Sequence, residues 1–196
     1  MNFVPNAITI GRIVLTPILL VLLFWDTLAG QGGALVLFII AAISDYLDGK
    51  LARRFGARSR LGQFLDPFAD KVLVLGTFMA LVFLIPHVVP WWAVALIALR
   101  DVVVTALRMW EESHGRTLRT IPMAKTKTTL QLVFLIGVLL LLTARHLPGV
   151  VANAAVWVLQ SLIPFVLLMV VVALTMFTGL WYLFKKEYVS PVQFNG

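Results

Sequence analysis

The stretch Asp45-Tyr46-Leu47-Asp48-Gly49-Lys50-Leu51-Ala52-Arg53, followed by Gly62, Asp66 and Asp70, decides how this chain reads. It is set in two segments that otherwise have the apolar character of membrane helices. A carboxylate inside a membrane span is expensive and by default marks a functional site; this stretch holds four. Residues three or four apart share a helix face, so Asp45 pairs with Asp48, and Asp66 with Asp70, on neighbouring turns. Two such helices, joined as a hairpin by the loop Arg54 to Leu61, can bring the four carboxylates to one point. Clustered negative charges repel unless they share protons or hold cations, and an all-oxygen donor set suits a hard ion, Mg²⁺ or Mn²⁺. The pattern points to a two-metal phosphoryl-transfer site. One acidic pair alone is explained as well by an ion pair or a helix end; the whole spaced set is not.

The residues between the carboxylates fit the same chemistry. Gly49 and Ala52 have little or no side chain, so a flat base or a diphosphate can approach the backbone beside them. Arg53 is placed to contact a phosphate, and the Ser59 hydroxyl to add a hydrogen bond.

Outward from this stretch, the composition is that of an integral membrane protein. Its 196 residues are 61% hydrophobic, with a mean hydropathy of +0.97, where a soluble domain is nearer about 45 to 50% apolar. Six apolar segments long enough to span can be drawn: Ala7 to Trp25, Ala34 to Arg54, Gly62 to Ile85, Trp91 to Glu111, Thr128 to Ala144 and Ala152 to Phe184. Gly30, Gly32 and Gly33 read as turn punctuation between the first two, and Pro164 predicts a tilt, a kink or an interfacial start in the overlong last one. The expected fold is therefore an all-α integral membrane protein of six transmembrane helices, one compact domain over residues 1–196.

The chain has no cysteine, which excludes disulfides and thiolate metal sites, and its three histidines fit no ligand spacing. No basic residue precedes the first apolar run and no small-residue cleavage site follows it, so a removable signal peptide is not expected. The net charge of +7 is confined to particular loops and helix ends, a pattern explained by membrane topology and not by nucleic acid. The loops after spans two and four, the adjoining helix ends and the tail carry nearly all of it. Loops one and three carry none, and loop five only Arg145. The positive-inside rule then places both termini and the motif end of span two in the cytoplasm. Glu111 and Glu112 read as a solvated helix end.

With its fixed spacing over 26 residues, Asp45 to Asp70 resembles the complete signature of the CDP-alcohol phosphotransferases, with no signature position departing. The resemblance implies a six-helix enzyme of the cell inner (cytoplasmic) membrane, usually a homodimer, that displaces CMP from a CDP-linked lipid alcohol. It implies that Asp45 and Asp66 bridge two metals, that Asp48 joins one, and that Asp70 ligates the second and serves as the catalytic base. It further implies that Gly49, Ala52, Arg53, Ser59 and Gly62 hold the CDP part, helped by Pro5, Asn6 and Thr9. Simple helix entry explains that last stretch as well.

Pro5-Asn6-x-x-Thr9-x-x-Arg12, Arg100 with Thr105 and Arg108, and Lys125-Thr126-Lys127-Thr128-x-x-Gln131 resemble the phosphatidylglycerophosphate synthases within that family. The resemblance implies CDP-diacylglycerol as donor and sn-glycerol 3-phosphate as acceptor. Arg100, Arg108, Lys125 and Lys127 lie toward the same ends of spans four and five, where a cationic pocket for the acceptor phosphate can form. Positive-inside anchoring, with Arg100 merely paired to Asp101, is the plain alternative. Ala124 and Asp101 depart from the Gly and Glu that the related enzymes usually show. A cardiolipin synthase with the same signature, using phosphatidylglycerol, is the rival within the family. A divalent-cation channel or transporter is the rival outside it; such a protein needs no glycines spaced for a nucleotide.

Overall fold

The computed structural model describes residues 3–55, 60–114 and 122–184; within these, the side chains of 3–10, 12–13, 45–55, 60–70, 108, 112–113, 122–125 and 183 lie outside the description. The described elements are all helices: α1 (Phe3–Phe24), α2 (Leu28–Phe55), α3 (Arg60–Leu84), α4 (Trp91–Ser113), α5 (Pro122–Ala144), α6 (Val150–Gln160) and α7 (Ile163–Phe184). The first five coincide with the first five apolar segments, the ends differing by up to six residues.

The last apolar segment is broken into α6 and α7. Pro164 cannot donate to a preceding carbonyl and disfavours helix at the residue before it, so it suits the first turn of a new helix, where α7 places it. Ser161 serves both sides of the break. Its backbone is extended (φ −77°, ψ 168°), its hydroxyl donates to the Val158 carbonyl at 2.7 Å, and the same oxygen accepts the Ile163 N–H at 3.3 Å.

Gly30, Gly32 and Gly33 lie inside α2 and are not the expected turn. The helix starts earlier because Thr27 caps it, its Oγ1 accepting the Gly30 N–H at 3.1 Å. What the glycines supply is close packing. A Cβ at Gly30 would lie 2.5 Å from Trp25 Cβ and 2.7 Å from the Trp25 carbonyl, while Gly32 faces Thr143 and Gly33 faces Leu22. Small residues of this kind let membrane helices approach where no hydrophobic force drives them together.

Along their described lengths α2 and α3 are joined through α1 and α5, each of which packs against both. The connection 56–59, on which the expected hairpin turns, lies outside the described residues. α4 packs against α3 and α7, and α5 also against α6 and α7. Between them lies one apolar core that includes Phe38, Leu81, Ile97 and Leu139, with Phe78 stacked on Phe134 at 5.9 Å between ring centres.

The outer surface is apolar too, with Phe83, Trp91, Trp157, Leu162 and Phe184 among many exposed large side chains. Water does not tolerate so much contiguous apolar surface on a folded chain, whereas lipid does. Among the described residues, Thr126–Ala144 and Ile163–Tyr182 are long and apolar enough to cross a membrane, and four shorter apolar helical stretches accompany them. The chain is a helical membrane protein.

At the end of the bundle where α1 joins α2, a polar knot closes the structure. Asp26 pairs with Arg145 and lies 3.2 Å from His146 Nε2. Gln31 is fully buried, and its amide is assigned the orientation in which the nitrogen donates to the Leu142 carbonyl at 2.7 Å and the oxygen accepts from Arg145 at 2.9 Å. The basic residue that loop five carries is thus matched by an acid from loop one.

The Gly30 contact generates a stability prediction. Gly30→Ala should lower the melting temperature in detergent, since overpacking of a tight contact costs about 1 to 3 kcal/mol. Gly137→Ala is the control: an added Cβ there meets nothing within 4 Å, and better helix propensity should leave stability equal or up to about 1 kcal/mol higher. Equal effects at the two positions would refute the close-approach reading.

Candidate active site

Asp45, Asp48, Gly49, Ala52 and Arg53 fall in α2, and Gly62, Asp66 and Asp70 in α3. The helical backbone there gives the i, i+3 and i, i+4 spacings their expected meaning, while the side chains of these residues are among those not described. Pro5, Asn6 and Thr9 lie in the first two turns of α1, and Ser59 lies outside the described residues. The donor set, four carboxylates on two helices with hard oxygen atoms only, fits divalent cations of the Mg²⁺ class.

One residue beyond Asp70, side chains are described again, and they form a buried ionic cluster. Asp101, 5% exposed, is its centre. Lys127 Nζ donates to Asp101 Oδ1 at 2.5 Å, Arg100 Nη1 donates to the same oxygen at 3.1 Å, and Lys71 Nζ lies 3.7 Å from Oδ2. Lys71 comes from α3, Arg100 and Asp101 from α4, and Lys127 from α5. Three cations on one carboxylate leave an excess of two positive charges within the described cluster. Isolated charge in a lipid-embedded bundle is costly, and removing one partner of a buried pair typically costs about 3 to 5 kcal/mol.

The cations are not equivalent. Arg100 is turned to α7, where Nε donates to the Thr175 carbonyl at 3.1 Å and Nη2 donates to Thr178 Oγ1 at 2.9 Å. Its stem lies on Gly179, where a Cβ would come 2.6 Å from Arg100 Cγ. Lys127, 4% exposed, has one N–H bond on Asp101, and its other two have no partner among the described residues. One turn further along α5, Gln131 is 2% exposed and its Nε2 has no hydrogen-bond partner among the described residues. Thr175 Oγ1 is likewise buried and without a hydrogen-bond partner among the described residues. Of the residues expected to hold the acceptor phosphate, Lys127 and Arg100 are thus brought to one carboxylate. Arg108 and Lys125 lie on α4 and α5 with side chains not described.

Helix register explains the arrangement. Asp101, Val104 and Glu111 are buried on one face of α4, and position 108 falls on that face. Glu111, at 1% exposure, is therefore inside the bundle and not at a solvated end as expected. On α5 the face that carries Lys127 and Gln131 continues as Phe134, Leu135, Val138 and Leu142.

In sequence, Lys71 is one of the basic residues at the helix ends adjoining the loop after span two, and Asp101 stands beside a single base, Arg100. The available signal was a carboxylate in the middle of a span, which by itself calls for a buried counter-charge. Which cations answer it depends on helix packing. The histidines are structural: His87 Nε2 lies 3.2 Å from the Leu159 carbonyl, His114 Nδ1 2.8 Å from that of Trp110, and His146 joins the Asp26 knot.

The chain matches the family model described as CDP-alcohol phosphatidyltransferase over residues 2–177. It is 38% identical over 138 residues to a CDP-diacylglycerol--glycerol-3-phosphate 3-phosphatidyltransferase of Salmonella choleraesuis (strain SC-B67), covering 67% of this chain and 74% of that protein. Proteins with the same description from Escherichia coli (strain K12) and Shigella flexneri serotype 5b (strain 8401) are 36% identical over the same shares.

The α4–α7 tie can be tested by stability. Gly179→Ala should displace the Arg100 stem at about 1 to 3 kcal/mol, and Thr178→Val should remove a charged hydrogen bond at about 1.5 to 3 kcal/mol. Because both act through Arg100, the double variant should cost less than their sum. Strict additivity in denaturation measurements would contradict a shared node.

Proposed function

The chain belongs to the CDP-alcohol phosphatidyltransferase family, and on that premise we propose that it is a phosphatidylglycerophosphate synthase. It transfers the phosphatidyl group of CDP-diacylglycerol to sn-glycerol 3-phosphate, giving phosphatidylglycerophosphate and CMP. The names of its relatives support this acceptor. The observation that carries the reading is the buried Lys71–Arg100–Lys127 cluster on Asp101, which begins one residue past the last motif carboxylate. Its excess of two positive charges matches a phosphate monoester, which carries about 1.5 to 2 negative charges at neutral pH. The phosphodiester of phosphatidylglycerol carries one, so the cluster favours the smaller acceptor over the cardiolipin synthase reaction.

In this reading Asp45, Asp48, Asp66 and Asp70 would hold two divalent ions, Mg²⁺ or Mn²⁺. Such ions would polarise the phosphoryl oxygens and stabilise the charge on departing CMP. Gly49, Ala52, Arg53, Ser59 and Gly62, with Pro5, Asn6 and Thr9, bind the CDP part. Lys127, Arg100, Arg108 and Lys125 bind the acceptor phosphate and so orient its primary hydroxyl. Asp70 takes the hydroxyl proton as the oxygen attacks the β-phosphorus. The new P–O bond forms as the bond from that phosphorus to the bridging oxygen breaks, and CMP carries the electron pair away.

The chain crosses the inner (cytoplasmic) membrane six times, with α6 at the outer face, both termini and the site toward the cytoplasm, and a second copy of the chain as its homodimer partner. The basic residues gathered at the motif end, and the neutralised Arg145 at the other, support this orientation.

Purified protein supplied with CDP-diacylglycerol and Mg²⁺ should release CMP with sn-glycerol 3-phosphate and not with phosphatidylglycerol. CMP release with phosphatidylglycerol alone would overturn the acceptor assignment. Asp70→Asn should lose turnover while retaining CDP-lipid binding, and near-normal turnover would remove Asp70 as the base.

A further inference from the structure

The three cations on Asp101 differ in how firmly they are held and how deeply they are buried. Arg100 is committed to α7 through the Thr175 carbonyl and Thr178. Lys71 is the most distant of the three, at 3.7 Å, and its side chain is 24% exposed. Lys127 is the most deeply buried of the three, has two N–H bonds without a partner among the described residues, and is held at 2.5 Å by a carboxylate on a neighbouring helix.

A lysine ammonium sits on a flexible four-carbon stem and rotates freely, unlike the rigid fork of an arginine. Two like charges, Lys71 and Arg100, converge on the carboxylate that holds it. Without an anion to fix it, the ammonium would be driven away from them by a repulsion that a low-dielectric surrounding strengthens. We propose that Asp101 is a positioning residue for the acceptor: it fixes the Lys127 ammonium so that the two remaining N–H bonds are presented to a phosphate monoester. This inference rests on the proposed function and adds to it a residue that does not itself touch substrate. Asp101 also offsets charge, but charge balance alone requires no particular distance. A short contact to the most deeply buried of the three cations, a freely rotating ammonium, is what positioning requires.

The test separates the two roles in the full-length purified protein, with CMP release measured against sn-glycerol 3-phosphate and against CDP-diacylglycerol. Asp101→Asn should raise the acceptor KM about tenfold or more, the size of a lost charge-assisted contact, and leave the donor KM within about threefold. Asp101→Glu, which keeps the carboxylate, should recover most of the loss. Since Asp101→Asn leaves three cations without an anion and can unfold the bundle, the charge-balanced variant Asp101→Asn with Lys71→Gln carries the decision. It retains the excess of two positive charges but lacks the anchor.

Positioning predicts that this variant folds, by its melting temperature, and keeps the raised acceptor KM. An acceptor KM restored to the native value would show that Asp101 only balances charge and overturn the inference. Lys127→Gln distinguishes the layers. An unchanged acceptor KM there overturns the pocket and this inference with it. A raised one alongside an unchanged value in both Asp101→Asn variants overturns the positioning role alone.

Discussion

The carboxylate of Asp101 is the point on which the polar half of this structure depends. It draws Lys71 from α3 and Lys127 from α5 to α4, and through Arg100 it is coupled to α7. In a lipid-embedded bundle the hydrophobic effect does not drive helices together, so packing and polar contacts between helices decide which faces meet. One acid with three bases specifies such a meeting closely. A rotation of α4 by one residue would leave the acid facing lipid and the bases without their common partner.

Two charge systems of opposite sign therefore adjoin on α3. The motif carboxylates end at Asp70, and the cation cluster begins at Lys71. A transferase acting on a polyanionic donor and an anionic acceptor benefits from keeping the two apart. Cations bound to oxygen ligands suit the diphosphate, fixed ammonium and guanidinium groups suit the monophosphate, and a phosphate held at its far end leaves the reacting hydroxyl free. The other end of the bundle is built for closure. The Asp26–Arg145–His146 knot and the Ser161 break fasten the connections around α6 and leave the charges there matched.

Most of the helices were legible because apolar runs and basic loops are local signals, and the Asp45 to Asp70 set falls on helical backbone, as its spacing requires, with its side chains outside the description. Three things were not. The glycines at 30, 32 and 33 resemble a turn in sequence, and only the approach of Trp25 shows that they serve packing. Pro164 announced an irregularity, but the double use of Ser161 made it a break. Glu111 looked like a solvated end because nothing in its neighbours says that its face of α4 stays buried to the last turn. The cation cluster was half legible. Arg100 and Lys127 were singled out as acceptor ligands, but the meeting of Lys71, Asp101 and Lys127 spans positions 71 to 127 and is a property of the packed helices.

The central claim is that fixed cations, and not the metal site, hold the acceptor. Equilibrium binding of sn-glycerol 3-phosphate to the purified protein, in excess EDTA and without CDP-lipid, tests it most directly, with glycerol and the Lys127→Gln variant as comparisons. The account predicts binding that survives chelation, requires the phosphate and is lost or strongly weakened in Lys127→Gln. Binding that disappears with EDTA and is indifferent to Lys127 would contradict it.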